Sequence, residues 1–371
     1  RERGKEFGFS FENLTLDYSV ALKRSRQTSD RLVKGVGFLM KKNGIDVHMG
    51  TAKVAARDLV EVAGADGAVT QLKTKNIVVA TGASVAIPPG WQVDGEKILT
   101  YLEAILQEKL PKSAIIIGAG AIGVEFATIW HSYGVEVTIV EMLPRLLPLE
   151  DEEVSDELAK NFKRRKINIL TGHRVEQISA NEQGVTVKVS SEDGEKVLEA
   201  EQALVSIGFK PNGKGFGLEE MGVAISQRGA IEIDERMATN VPGIWAIGDV
   251  TAKLMLAHVA SAQGVVCAEN IAGAETVQLN YEMMPRATFS TPQVASFGLT
   301  EAQAQEKGFE VKVGRFPFQA NGKALGLGDA AGWIKIVTGA KYGEILGAHM
   351  IGPEVTELLP ELTLAHAMEL T

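Results

Sequence analysis

Three glycines and one carboxylate carry chemistry that can be read directly from the chain. Gly118, Gly120 and Gly123 lie in Gly118-Ala119-Gly120-Ala121-Ile122-Gly123, and Glu141 follows 18 residues after the last of them. Glycines at this spacing suit a phosphate cradle. Gly118 permits a tight turn, Gly120 lets backbone approach a diphosphate, and Gly123 lets a helix pack closely on a strand. The N–H groups of that helix's first turn then face the anion. A carboxylate about 20 residues on can accept the ribose hydroxyls of an adenosine. Its charge repels the extra phosphate of NADP, so NAD is the expected ligand. Arg145, four residues beyond Glu141, is the cation that could instead meet such a phosphate. A plain turn followed by a surface acid is the alternative without a ligand.

The elements needed to position these residues are present around them. Ala114 to Ile117 is an apolar run suited to a parallel strand buried on both faces. Ile122, Phe126, Ile129, Trp130 and Tyr133 then recur at helical spacing, Gly134 ends the helix, and Val135 to Val140 reads as a second buried strand. Glu125, on the first helical turn, faces the cradle or complements the helix dipole. Two further strands end in polar groups, where open α/β sheets meet ligands. Ile77 to Ala80 ends in Thr81-Gly82, and Ile244 to Ile247 ends in Gly248-Asp249. Asp249 could equally cap the helix that follows. Between the first of these strands and the cradle, Ile87 to Trp91 reads as an interdomain connection.

The totals agree with a multidomain globular protein. The chain has 371 residues, 45% of them hydrophobic, with 39 glycines, which suggests two or three domains. A formal net charge of -9 argues against nucleic-acid and anionic-membrane partners. The basic run Lys163 to Lys166 follows Val154, Leu158 and Phe162 and reads as a helix C-terminus. No apolar run approaches about 18 residues, and the start Arg1 to Ser10 lacks the apolar core of a secretory signal. A cytoplasmic location is therefore expected, or an organellar matrix or stroma if a targeting segment precedes Arg1. The single cysteine, Cys267, excludes an internal disulfide and a cysteine-rich metal site, and no metal site is expected. Its apolar helical surroundings suggest a buried structural thiol.

Four stretches in order, VVATGA, GAGAIGVEFA, AIGDVTAKLMLAH and TFSTPQVASFGLTEAQA, give the chain a resemblance that spans nearly its whole length. It resembles the flavin-dependent pyridine nucleotide-disulfide oxidoreductases, most closely their dihydrolipoamide dehydrogenase branch. The resemblance implies an α/β fold with two Rossmann-like nucleotide-binding domains, the first incomplete, plus an α+β dimer-interface domain. Expected bounds are 1–109 for the partial FAD-binding domain, 110–234 for the NAD-binding domain, 235–280 for the return of the FAD domain and 281–371 for the interface domain. In that last part Trp333 to Val337 and Ile345 to Met350 read as paired strands. Pro353 then opens a helix that Pro360 should kink or stop.

The resemblance also extends the expected sites. The NAD set is Gly118, Ala119, Gly120, Ala121, Ile122, Gly123, Val124, Glu125, Glu141, Val175 and Gly208, with Glu125 beside the nicotinamide. The FAD set is Gly50, Thr81, Gly82, Ala83, Asp249, Met255, Leu256, Ala257 and His258, with Asp249 on the ribityl chain. Taken without the resemblance, Val175 reads as core and Gly208 as a turn. The family implies a homodimer that passes electrons from protein-bound dihydrolipoamide through a redox disulfide and FAD to NAD. Its partner would be a lipoyl domain of a 2-oxoacid dehydrogenase or glycine-cleavage assembly. The family's flavin-diphosphate fingerprint, its cysteine pair and its His-Pro segment with a following Glu are not in these 371 residues; His366 is followed by Ala367 and reads as an ordinary helix residue. The chain alone is thus expected to supply position rather than thiol chemistry. The alternatives are another flavin disulfide reductase, of the mercuric, glutathione or transhydrogenase kind, and a non-catalytic NAD-binding dimer.

Overall fold

The structure, a computed structural model, describes Gly4 and residues 6–371. The parts of the leader reading and of the first expected domain that fall on residues 1–3 and 5 lie outside the described residues.

The centre of the molecule is a five-stranded parallel sheet. Its order is Ile98–Leu99, Gln202–Val205, Ser113–Ile117, Glu136–Val140 and Asn168–Leu170. Alternation of side chains divides its apolar runs between two faces. Ile116, Val137 and Ile139 pack against Val124, Ala127 and Trp130 of the cradle helix Ala121–Ser132 and against Val154, Leu158 and Phe162 of a second helix, Glu152–Arg164. Ile115, Ile117 and Val140 pack against Val185, Val187 and Val189 of an antiparallel meander, Arg174–Asn181, Gly184–Ser191 and Gly194–Ala200. Lys163 and Arg164 occupy the last turn of the second helix, where the dipole favours cations. Gly134, at φ +95°, follows the C-cap of the cradle helix.

A second region, the one expected to bind flavin, is smaller. Ile77–Val79 and Ile244–Ala246 form a parallel pair, packed with Val54, Leu218, Val223, Ile231 and Val241. Leu218, Val223 and Ile231 join this cluster although they precede residue 235, and Ile98–Leu99 joins the central sheet although it precedes residue 110. The helix Tyr18–Lys42 buries none of its residues and exposes Leu32, Val33, Val36 and Phe38. The later helix Ala257–Ala272 contains the buried Cys267.

The C-terminal region is an antiparallel sheet ordered Arg286–Thr288, Gln293–Gly298, Ile345–Gly352, Trp333–Gly339 and Val311–Pro317. The two strands expected to pair do so, from Trp333 opposite Ile351 to Thr338 opposite Ile345. Two helix expectations are corrected here. The last helix opens at Val355 rather than Pro353, because Glu354 is left-handed at φ +55° and breaks the chain direction. Pro360 does not stop it, and the helix runs through to Ala367. Burial of Val355 and Leu359 against the sheet holds the segment helical, and the Thr363 hydroxyl donates to the Pro360 carbonyl at 2.9 Å. His366 lies inside this helix, its Nδ1 3.0 Å from the Ile345 carbonyl.

Candidate functional site

The cradle forms because two of its glycines could be nothing larger. Gly118 sits at φ +102°, and a Cβ there would run into the Ser206 carbonyl. A Cβ on Gly123 would run into the Gly118 carbonyl, which is the close helix-on-strand contact. Gly120 differs: its missing Cβ faces open space, it is the N-cap of the cradle helix, and no side chain caps that helix. The first-turn N–H groups are therefore left for a ligand, with the positive end of the helix dipole behind them.

Glu141 closes the site. It is 9% exposed, with Oε2 accepting from the Ala119 N–H at 2.7 Å and Oε1 from the Leu143 N–H at 2.8 Å. These two bonds fix the carboxylate while leaving further lone pairs for hydroxyl donors. Arg145 turns away, pairing with Glu152 at 2.8 Å. The Gly118–Gly120 loop and Glu141 line one cavity of about 790 Å³ together with Ala121, Ile122, Val175 and Gly208.

Other expected cradle residues act from behind. Ala119 and Val124 are fully buried, and the Val124 N–H donates to the Gly120 carbonyl. Glu125 does not line the cavity; its Oε1 accepts from the Phe289 N–H of the C-terminal region at 2.8 Å. Burial pushes its carboxyl above the usual range, against the pull of that N–H.

The cavity's far wall was not foreseen. Pro88, Pro89 and Trp91, read as a connection, line it with Tyr101, His173 and Phe209. Tyr101 and Phe209 meet edge to face with ring centroids 5.9 Å apart. The available signal was an indole within a proline turn, since a mere connector has little use for one.

On the flavin side, the parallel pair brings its two strand ends together: the Ile247 N–H donates to the Val79 carbonyl at 3.0 Å. Thr81 and Gly82 follow one strand, Gly248 and Asp249 the other. The Thr81 hydroxyl donates to the Asn212 carbonyl at 2.7 Å, and Ala83 pairs with Pro211. Asp249 caps no helix, because the helix after it begins at Ala257 with Leu256 as N-cap. Among the described residues its carboxylate meets no hydrogen-bond or ion-pair partner. Ala260 of that helix lies 3.3 Å from where a Cβ on Gly248 would stand, so the helix's first turn approaches this strand end; no contact described brings Met255 or Leu256 to it. His258 turns to the Pro285 carbonyl, 2.9 Å from Nε2. Gly50 is not brought to this group by any contact described; its neighbours are Val62 and Ala63.

Known proteins are similar to this chain across its length. Residues 6–264 match the family model "Pyridine nucleotide-disulphide oxidoreductase", and residues 284–371 match that family's dimerisation domain. A dihydrolipoyl dehydrogenase of Mycobacterium leprae is 51% identical over 374 residues, covering 100% of this chain and 80% of the relative. One from Corynebacterium glutamicum is 48% identical, covering 99% and 79%. Among solved structures, LpdA from Mycobacterium tuberculosis superposes with a TM-score of 0.93 at 26% identity, covering 100% of this chain and 80% of that one.

Proposed function

The chain belongs to the pyridine nucleotide-disulphide oxidoreductase family, and from that premise we propose that it acts as a dihydrolipoyl dehydrogenase using FAD and NAD. The observation that carries the reading is the Glu141 carboxylate held by two backbone N–H groups at the mouth of an uncapped helix. FAD and NAD are the cofactors of the family, and relatives at 41% to 51% identity are dihydrolipoyl dehydrogenases.

The residues present fit NAD. Gly120 leaves space for a diphosphate, and Glu141 offers acceptors to the ribose hydroxyls while its charge disfavours a phosphate there. Trp91, Tyr101 and Phe209 give the cavity an aromatic wall. Glu125, beside the nicotinamide in this reading, is held in place by the Phe289 N–H. On the flavin side, the unpartnered Asp249 carboxylate suits the ribityl hydroxyls of FAD, and Thr81, Gly82 and Ala83 would pass beside it. When bound, FAD and NAD supply the hydride chemistry, and the protein supplies position and electrostatics.

The dimerisation domain over residues 284–371 supports a homodimer. We place the domain bounds at residues 109, 234 and 280, with the exchanges of packing described above. The physiological partner in this reading is a lipoyl domain. No helix among the described residues is long and apolar enough to cross a membrane. A cytoplasmic site of action is part of the same reading.

The test is the full-length protein with FAD. It should oxidise NADH with lipoamide as acceptor, and NADH binding should quench the Trp91 fluorescence. Turnover with glutathione disulfide or mercuric ion but not lipoamide would replace this reading with another disulfide reductase. NADH binding by a protein that takes up no flavin would leave only a nucleotide-binding dimer.

A further inference from the structure

The charge cluster around Lys335 has no part in the function just described, and two of its members, Lys335 and Asp151, are buried. Lys335 is 2% exposed, on the strand Trp333–Gly339 of the C-terminal sheet. Its Nζ stands 3.0 Å from Asp151 Oδ2, 2.7 Å from Glu153 Oε1 and 3.1 Å from Glu301 Oε2. Arg315 grips Glu153 with two bonds, 3.0 Å from Nε and 2.6 Å from a terminal nitrogen, and reaches Glu301 at 3.1 Å. Asp151 and Glu153 belong to the start of the helix Glu152–Arg164, which packs on the nucleotide-binding sheet. The cluster therefore spans two regions whose apolar cores are also continuous: Val294 and Ile351 of the C-terminal sheet pack in the same cluster as Val154 and Leu158.

A chain of bonds leads from this cluster to the cradle. Asp151 caps its helix, accepting from the Glu153 N–H through Oδ1 at 3.1 Å, and its carbonyl accepts from the Ser155 N–H at 3.1 Å. The Ser155 hydroxyl, fully buried, donates to the Leu147 carbonyl at 3.3 Å. The Leu147 N–H donates to the Ala119 carbonyl at 2.9 Å. The Ala119 N–H in turn donates to Glu141. Leu147 is left-handed at φ +44° without being glycine, a conformation that persists only where its surroundings fix it.

We propose that Lys335 is a positioning residue for the dinucleotide cradle. Through Asp151 and Ser155 the C-terminal sheet holds the Leu147 turn, and that turn supports the Gly118–Gly120 loop. A buried ion pair adds little net stability, yet losing one partner strands a buried charge, so the pair penalises any shift between the elements it joins. That is the property needed to hold a cradle in register. The proposal rests on the reading of the 790 Å³ cavity as the NAD site.

Three variants of the full chain test it: Lys335→Met, Ser155→Ala, and Lys335→Met combined with Asp151→Asn. Without nucleotide, amide exchange at Leu147 and Ala119 should quicken about tenfold in Lys335→Met and by a few-fold in Ser155→Ala. NADH affinity should fall about tenfold and a few-fold respectively. The double variant, which keeps a capping side chain and removes the stranded charge, should recover melting temperature while its NADH affinity stays low. Exchange and affinity within about twofold of wild type, with only the melting temperature lowered, would make Lys335 a structural lysine and overturn the proposal. If Lys335→Met does not fold, Ser155→Ala decides by the same two readings. A wild-type protein that binds no NADH would defeat the site assignment, whereas the exchange measurement would still judge the Lys335-to-Leu147 link separately.

Discussion

Glu141 and Asp249 both follow a strand that is buried in a parallel pairing, and the protein treats them in opposite ways. Glu141 is clasped by the Ala119 and Leu143 N–H groups, inside a five-stranded sheet with helices on one face and a meander on the other. Asp249 follows a strand that, among the described residues, has Ile77–Val79 as its one partner strand, and none of those residues donates to its carboxylate. The glycines show the same contrast. Gly118 is pressed against the Ser206 carbonyl, whereas Gly82, also left-handed at φ +67°, has nothing within 4 Å. One site is organised before its ligand arrives, and the other offers groups that a ligand must organise. Preorganisation of the first kind lowers the ordering cost of binding.

Substitution at the two glycines should break this contrast most sharply. Gly118→Ala combines a left-handed β-carbon with a backbone clash and should cost about 3 kcal/mol in denaturant unfolding. Gly82→Ala has only the dihedral penalty, about 1 kcal/mol. Equal losses would mean that the two strand ends are supported alike.

The carboxylates give the next largest effect. Glu141→Ala strands two N–H groups and should weaken NADH binding about 10- to 100-fold, with a loss of about 1 to 3 kcal/mol in stability. Asp249→Asn should leave stability within about 0.5 kcal/mol of wild type, since the side chain supports nothing in the protein. Its expected consequence is weaker FAD retention, read by flavin absorbance after gel filtration.

Acid should produce a smaller change, read at the C-terminal sheet and the helix it leans on. The Arg315 guanidinium, helped by Lys335, holds the Glu153 carboxyl down at about 2 against partial burial. A depressed carboxylate stabilises the fold above its unfolded pKa of about 4.3, and this contribution is lost as pH falls through about 2. Burial likewise lowers the His349 imidazole, which faces the Glu150, Asp151 and Arg286 charges and is paired in register with Lys335. Neutral in the fold, it withdraws stability as pH falls below about 6.5. Melting curves should therefore drop first below pH about 6.5 and again below about 4.3, and Glu153→Gln should shrink the second step, leaving the part that the lowered Asp94 and Glu103 carboxyls contribute. Solvent around Glu153 keeps that step small. A second step of unchanged size in Glu153→Gln would assign it wholly to other carboxylates.

How much of this was legible followed from distance along the chain. The cradle is one continuous strand-turn-helix with its acid at the next strand end, so local spacing predicted Gly118, Gly120, Gly123 and Glu141 and their placement. The opposite wall joins Pro88 to Trp91 and the nearby Tyr101 with Phe209, over a hundred residues further on, and no periodicity links them. Lys335 was hidden for the same reason, since its partner Asp151 is 184 residues away. The strand alternation did place it on one face with Trp333 and Val337, and a lysine on an apolar face signals a buried partner. A stop at Pro360 was expected because its local cost was weighed without the packing of Val355 and Leu359.

The account stands most directly on Glu141 as a ribose acceptor that repels a phosphate. Calorimetric titration of the protein with NADH and with NADPH under one set of conditions tests it. The expected result is NADH binding at least about tenfold tighter. Equal affinities, or a preference for NADPH, would contradict it.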